Sequence, residues 1–488
     1  MPFPKQEPSK DTRTSSANVV PLCIDLDGTL VRTDLLIEAI FSLIKNNVGY
    51  VFLLPLWLLK GKAHFKQQIA DRVDLEAAFL PYNQELLDYL RKQKEEGRPL
   101  ILVTGSNIKF AQHIAEHLKL FDKVMASDER INLIGHNKAE QLVNIFGKNK
   151  FDYVGNARCD LAIWAHSRRA ILVNPNAKLK AVVLKLTEVG RIFEDSEKRI
   201  AAYLGALRLH QWTKNLLVFV PLIAAHKLGE PALLLPAILG FFAFSLCASG
   251  VYLLNDLLDI PADREHPRKR YRPLAAGTLS STHAIFMVCF LVIGGICLAF
   301  ALPIKFMAYL VVYLGVTLAY SIWIKKVVLL DVIALAALYT LRIMGGGAAV
   351  FIEPSFWLLA LSIFLFLSLA MVKRYSELQV AQRSGKLSVS ARGYLVEDLE
   401  GLAGLGQASG YIAVLVLGLY INGDMVRNMY SRPMLLWVLC LILLYWISRV
   451  WIIARRGQMH DDPVVFAIRD KTSLVSAMVA LGVLTLAR

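Results

Sequence analysis

The sequence predicts a two-part protein, an α/β domain built on a parallel sheet followed by an all-α polytopic membrane domain of nine transmembrane helices. Three observations predict it. The chain has 488 residues, too many for one compact core. Its 56% hydrophobic content is high for a soluble protein. Apolar runs long enough to cross a bilayer lie only between about Leu216 and Leu486, while the first two hundred residues read as ordinary soluble sequence.

Taken in order, residues 1–18 are rich in Ser, Thr, Lys and Pro and are expected to be disordered. They hold no apolar h-region, so no cleavable signal peptide is expected and the N-terminus should stay cytosolic. Residues 19–190 form the α/β domain. Val19 to Asp25, Pro99 to Thr104 and Asp152 to Gly155 read as buried strands with helical patterns between them, the signature of parallel-sheet units. Val48 to Leu59 is nearly uncharged but too short to span, and is either a cap helix or an interfacial element.

Residues 191–207 read as a linker or interfacial helix, and 208–488 as the membrane domain. Nine candidate spans run roughly over Leu209 to Ala225, Ala232 to Leu254, Ala284 to Ile304, Phe306 to Ile324, Val327 to Ile352, Ser355 to Val372, Leu402 to Ile421, Pro433 to Ala454 and Thr472 to Ala487. The first is entered through polar residues, Arg208-Leu-His-Gln211-Trp-Thr-Lys214-Asn215, which must face a protein cavity or the interface. With the soluble domain inside, the loops on its side hold sixteen Lys and Arg residues, the clusters at Arg264 to Arg272, Lys325 and Lys326, Lys373 to Arg392, and Arg455 to Lys471. The opposite loops hold four, at Lys227, Lys305, Arg427 and Arg432, so the positive-inside bias predicts a cytosolic N-terminal domain and an external C-terminus.

The formal charge of +15 belongs largely to these loops, where it meets anionic headgroups or phosphorylated substrates, and no nucleic-acid partner is expected. The six cysteines show neither paired nor metal-ligand spacing, so neither a disulfide framework nor structural zinc follows.

Two carboxylates, Asp25 and Asp27, follow the first strand, at the end of a sheet where open α/β folds bind ligands. Thr104 and Ser106 follow the second strand, Lys138 opens a helix, and Asn156 and Asp160 follow a third strand. This set resembles the haloacid dehalogenase superfamily of phosphatases over roughly Val19 to Pro175. The resemblance implies a Rossmann-like fold with a helical cap. It makes Asp25 the nucleophile on a phosphomonoester and Asp27 the acid and base. Mg²⁺ would be held by Asp25, the Asp27 carbonyl, Asn156 and Asp160, with Thr104, Ser106 and Lys138 neutralising phosphoryl oxygens. The family usually has Asp where this chain has Asn156, which removes a negative charge from the metal site.

In the second region, Asn255-Asp256-x-x-Asp259-x-x-x-Asp263 closes the second span; a continued helix would place Asn255, Asp259 and Asp263 on one face, with Asp256 beside them. So many carboxylates at a membrane face call for a cation, here Mg²⁺ bound to a diphosphate, with Arg264, Lys269 and Arg272 suited to phosphate oxygens. The pattern resembles the UbiA-type intramembrane prenyltransferases. The extended run Asp263-Arg264-x-His266-Pro267-x-Lys269-x-x-Arg272-Pro273 and the entry through Gln211, Lys214 and Asn215 are most similar to their decaprenyl-phosphate phosphoribosyltransferase branch. That resemblance implies transfer of phosphoribosyl from phosphoribosyl diphosphate to a polyprenyl phosphate, with Asp256, Asp259 and Asp263 catalytic through the metal.

Asp331 and Arg342 inside one span are functional candidates or a structural ion pair. Lys325, Lys373, Arg374, Tyr375, Asp461 and Asp462 on the cytosolic side are candidates for the lipid phosphate or the donor's 5-phosphate, with the positive-inside bias alone as the plain alternative for Lys325. The transfer product would carry a 5-phosphomonoester, which the first domain is built to hydrolyse. A conventional aromatic prenyltransferase and a non-catalytic scaffold are the rival readings, a bacterial-type inner membrane is the expected location, and homo-oligomerisation stays open.

Overall fold

The computed structural model describes residues 19–194, 199–385, 387, 392–423, 426, 429–459 and 462–488. The chain divides into two compact units, Met1–Tyr203 with Asp256–His283, and Leu204–Asn255 with Ala284–Arg488.

The first unit is organised on six strands, β1 (Leu22–Ile24), β2 (Leu100–Asn107), β3 (Lys123–Ser127), β4 (Asp152–Gly155), β5 (Arg169–Val173) and β6 (Glu188–Phe193). All pair in parallel in the order β3-β2-β1-β4-β5-β6. Alternation along β1 sends Leu22 and Ile24 to one face and Cys23 to the other. The first face is covered by α1 (Leu35–Asn46), α2 (Tyr50–Leu59), α3 (Lys62–Ala70), α4 (Gln84–Glu95) and α5 (Ile108–Leu118). The second is covered by α6 (His136–Phe146), α7 (Leu161–Trp164) and α8 (Ala177–Leu186). Helix starts are set by short polar side chains, since Asp34, Asn83, Asn107 and Asn176 each accept from a first-turn amide.

The stretch read as a linker or interfacial helix carries the end of β6 and then α9 (Arg199–Leu207). The second unit continues with a 3₁₀ segment, Leu209–Phe219, and α10 (Val220–Ala224). Thus the first predicted span is not one long α-helix: its backbone enters at Arg208 with φ +50° and coils tightly before Pro221 starts α10. The glycines of the following Gly345-Gly346-Gly347 run make room for it, because a Cβ at Gly346 would come within 2.0 Å of the Val218 carbonyl oxygen.

Then come α11 (Pro231–Leu258), α12 (Ile260–Glu265), α13 (Ser281–Ala299), α14 (Ile304–Ile322), α15 (Leu330–Ala349), α16 (Phe356–Arg383), α17 (Leu399–Ile421), α18 (Trp437–Arg455), α19 (Pro463–Arg469) and α20 (Lys471–Ala487). Seven helical segments among the described residues are long and apolar enough to cross a membrane, the last being Pro433–Arg455; α20 is a shorter apolar helix. The protein is therefore a multi-pass membrane protein, with fewer long spans than the nine read from hydropathy, because the first is split and the last is short. Residues 256–283, which the sequence assigns to the membrane region, pack within the first unit.

Candidate functional site

In the first unit the strand order reverses direction between β1 and β4, and ligands of such sheets sit in the crevice at that point. Asp25 leaves β1 here and is 7% exposed. Lys138 of α6 donates from Nζ to Asp25 Oδ1 at 2.8 Å and to the Tyr153 hydroxyl at 3.1 Å; that hydroxyl donates to Asp160 Oδ1 at 3.0 Å. The backbone amides of Asn156 and Ala157 donate to Asp160 Oδ2 at 3.1 and 3.0 Å. Asp27 accepts from the Leu35 amide at 2.9 Å, from Ser106 Oγ at 2.6 Å and from Thr104 Oγ1 at 3.3 Å. Thr104 and Ser106, expected on phosphoryl oxygens, thus spend their hydroxyls on Asp27, whose partly buried carboxylate needs donors.

Burial, reinforced by Asp34, pushes the Asp27 carboxyl up to about 7, and burial with the nearby Asp25 charge lifts Asp160 to about 6. Burial opposes the Lys138 charge, but Asp25 and Asp160 hold it above its ordinary value. The Asp25 charge thus disfavours the charged form of Asp160, which a divalent cation shared between the two carboxylates would relieve; this donor set fits Mg²⁺. The Asn156 side chain lies over the backbone of Gly28, where φ is +69° and an added Cβ would meet Nδ2 at 2.1 Å. Lys66 of α3, which the sequence reading passed over, donates to the Gly105 carbonyl at 2.5 Å and to Asn132 Oδ1 at 2.8 Å, bracing the β2 end of the site. Its sequence signal was faint, since it is the second of two lysines in a largely polar helix, Lys62–Ala70.

The acid loop is the second feature of the first unit. Helix α11 stops at Leu258 and Asp259 caps α12, because Pro261 cannot continue the hydrogen-bond ladder. The continuous helix expected through Asp263 is therefore broken, and the acids do not share one face. Arg272 Nη1 lies 3.1 Å from Asp256 Oδ1 and 2.7 Å from Asp263 Oδ2, whereas Asp259 pairs with Lys45 of α1 at 2.9 Å. Among the described residues no three His, Cys, Asp or Glu side chains are grouped to hold an ion. The Arg272 guanidinium stands in the place of a cation between Asp256 and Asp263, so this pair fits a metal that displaces it.

Arg264, expected on phosphate, is corrected by the structure. Its guanidinium is buried in a bidentate pair with Glu38 at 2.8 and 2.6 Å, and its Nε donates to the Ala275 carbonyl at 3.1 Å. Lys269 is exposed in a 3₁₀ turn, and Asn255 is half-buried on the last turns of α11.

In the second unit Lys214 and Lys373 both donate to Asp462 Oδ2, at 2.9 and 3.0 Å, and hold that carboxyl below its usual range against the cost of burial. Lys214 also lies over the Tyr339 ring at 5.8 Å, and Arg208 over Tyr252 at 5.6 Å. Asn215 donates to Ser245 Oγ at 2.9 Å and accepts from Arg342 Nε at 2.7 Å, while Arg342 reaches the Tyr313 hydroxyl at 3.0 Å. Asp331 and Arg342 are not partners. Asp331 is held by Arg374 and the Tyr394 hydroxyl, and Arg374 also binds Glu377 and Tyr320, each at 2.7 Å, so Arg374 is a buried strut rather than a phosphate ligand. Tyr375 packs edge-on to Trp451, and Gln211 and Lys325 are half-buried. Asp461 lies outside the described residues.

The pattern of the UbiA prenyltransferase family matches residues 216–474, more than half of the chain. The chain belongs to the UbiA prenyltransferase family. It is similar to the uncharacterised protein y4nM of Sinorhizobium fredii, with 35% identity over 466 residues covering 94% of this chain and 90% of that one. It is 36% identical over 292 residues to the nodulation protein NoeC of Azorhizobium caulinodans, covering 58% and 92%. It is 36% identical over 190 residues to the decaprenyl-phosphate phosphoribosyltransferase of Mycobacterium tuberculosis, covering 38% of this chain and 63% of that one. Among solved structures, a UbiA homolog from Archaeoglobus fulgidus bound to GPP and Mg²⁺ aligns with 58% of this chain and 99% of its own, at a TM-score of 0.45 and 18% identity. Family membership makes this UbiA-type chain a membrane transferase.

Proposed function

We propose that this UbiA-type chain transfers 5-phosphoribosyl from phosphoribosyl diphosphate to a polyprenyl phosphate, and that its N-terminal domain then hydrolyses the 5-phosphate of the lipid product. The observation that carries the first half is the 36% identity to the decaprenyl-phosphate phosphoribosyltransferase over 190 residues, together with the Asp263 to Pro273 run. The second half rests on the Asp25, Asp27, Lys138 and Asp160 constellation at the sheet's switch point.

Asp256 and Asp263, which meet at Arg272, would hold Mg²⁺, and the ion would supply charge neutralisation for the departing diphosphate. Arg272 moves off the two carboxylates onto diphosphate oxygens, keeping a positive charge at the leaving group. Lys214 and Lys373, shared on Asp462, are the ammonium groups suited to a phosphate. In the first domain Asp25, Asn156 and Asp160 would hold a second Mg²⁺. Lys138 fixes the Asp25 carboxylate for attack on phosphorus. Asp27, whose carboxyl is raised to about 7 and so exchanges its proton near neutral pH, gives its proton to the ribose oxygen that leaves and then takes one from water.

The nine-crossing topology stays part of this reading. Eleven 3₁₀ residues at about 2.0 Å rise and five α residues at about 1.5 Å cover about 30 Å, the hydrocarbon thickness, so Leu209 to Ala224 is long enough to cross. Adding α20 gives an external C-terminus, with the N-terminal domain at the cytosolic face of a bacterial inner membrane.

Purified chain given Mg²⁺, polyprenyl phosphate and radiolabelled phosphoribosyl diphosphate should yield labelled lipid and inorganic diphosphate, and Asp25→Asn should accumulate the 5-phosphorylated lipid. Diphosphate released instead from a polyprenyl diphosphate with an aromatic acceptor would overturn the transfer reading. An unchanged product from Asp25→Asn would overturn the phosphatase reading.

A further inference from the structure

Helix α2 is built against the rules for a water-facing helix. Its sequence, Tyr50-Val-Phe-Leu-Leu-Pro-Leu-Trp-Leu-Leu59, has no charged residue on any face. Only Trp57 is buried, under Arg72 at 4.9 Å, while Phe52 is 79% exposed, Leu59 84%, Leu56 55% and Leu58 50%. Single exposed leucines mean little, but a contiguous apolar patch of this kind marks a binding surface.

The charges around it name the partner. From Ala39 to Ala70 there is no Asp or Glu, and Lys60 and Lys62 stand exposed at the end of the helix, while Lys45 is paired with Asp259 and Lys66 is buried against Gly105 and Asn132. An apolar segment with basic residues at its margin and no acids complements an anionic lipid surface. At about 15 Å, ten helical residues cover half the hydrocarbon thickness, so the segment cannot span and lies in the interface. We propose that α2 is a monotopic anchor, inserted among the headgroups and upper acyl chains of an anionic bilayer by Phe52, Leu56, Leu58 and Leu59.

This has a consequence for the first domain's substrate, one that rests on the phosphatase reading above. Helix α3 follows α2 after Gly61, where φ is +108°. Lys66 of α3 holds the Gly105 carbonyl, Gln67 accepts from Asn107 Nδ2 at 2.7 Å, and Ser106 between them donates to Asp27. The anchor and the Asp25 site are thus joined through a few hydrogen-bonded residues, and an inserted α2 holds the site at the membrane surface. The substrate class that fits is a phosphomonoester carried on a lipid.

The test uses the full chain in vesicles of phosphatidylcholine and phosphatidylglycerol, with the exposed Cys159, Cys289 and Cys297 replaced by Ser. Spin labels at Phe52→Cys and Leu59→Cys should relax faster with oxygen than with a water-soluble nickel chelate, the reverse of a label at exposed Glu129→Cys. Labels relaxed by the chelate as at Glu129 would overturn the proposal, as would labels shielded from both agents, the outcome for a covering protein or a second copy. In parallel, the double variant Phe52→Asp, Leu59→Asp should hydrolyse a lipid-linked phosphomonoester roughly tenfold more slowly while turning over a small soluble one unchanged; equal loss on both would overturn the substrate inference. The label measurement needs no catalysis, so a phosphatase that fails on every substrate would sink the functional reading and leave the anchor intact.

Discussion

Replacing Glu38 with Gln keeps its size and removes its charge, leaving the Arg264 guanidinium, whose side chain is 6% exposed, without a counter-ion. The native pair is bidentate and almost dry, with the Glu38 side chain at 1% exposure, and Arg264 makes a third bond to the Ala275 carbonyl. Breaking such a pair from one side costs about 3–5 kcal/mol, because the surviving charge keeps its desolvation penalty and loses its compensation. At about 1.4 kcal/mol per decade, amide exchange in α1 and across the acid loop should accelerate roughly a hundredfold to a few thousandfold if these amides exchange through local opening. Hydrogen exchange with mass spectrometry on the detergent-solubilised chain reads this directly. The double variant Glu38→Leu, Arg264→Met removes both charges and should recover all but about 1–3 kcal/mol, the cost of the orphaned Ala275 carbonyl. Acceleration below about tenfold in Glu38→Gln, or a double variant no better than the single one, would refute the argument that this buried pair holds the loop.

Three further outcomes follow from the site geometry. On the proposed phosphatase reading, Asn156→Asp should add a negative charge to the proposed metal site and lower the Mg²⁺ concentration needed for phosphomonoester hydrolysis several-fold, read by metal titration of the rate. Lys214→Met removes a charged donor from Asp462 and from the proposed phosphate position, so the KM for polyprenyl phosphate should rise roughly ten- to a hundredfold with a smaller change in kcat. Asp331→Asn leaves the buried Arg374 with Glu377 as its remaining acidic partner and should cost about 3 kcal/mol, whereas Tyr394→Phe removes one hydrogen bond and should cost about 1 kcal/mol; the ranking of apparent Tm in detergent checks the pair.

Asp25, Asp27, Lys138 and Asp160 were legible because each is set by a local pattern: a hydrophobic strand ends, or a helix opens, and the polar residue lands at the sheet's carboxyl edge. The structure brings them together through strand order, which hydropathy does not encode. Glu38 carried a faint signal, an acid in the stripe Leu35, Ala39 and Leu43 that α1 buries, which demands a partner. The partner stands 226 residues away. Asp331 is costly inside a span and so demands a partner, but its partners Arg374 and Tyr394 lie on other elements, and the nearer Arg342 serves Asn215 and Tyr313.

The acid loop marks the division most sharply. Sequence alone determined that Asp256, Asp259 and Asp263 sit beside basic residues at the end of an apolar helix, because composition and spacing are local quantities. Only the tertiary structure decided that Pro261 breaks that helix, that Asp256 and Asp263 meet at Arg272 while Asp259 turns to Lys45, and that Arg264 is consumed by Glu38. The physical reason is that a charge removed from water must find an opposite charge wherever the packed chain offers one, and that choice is made across the fold rather than along the sequence.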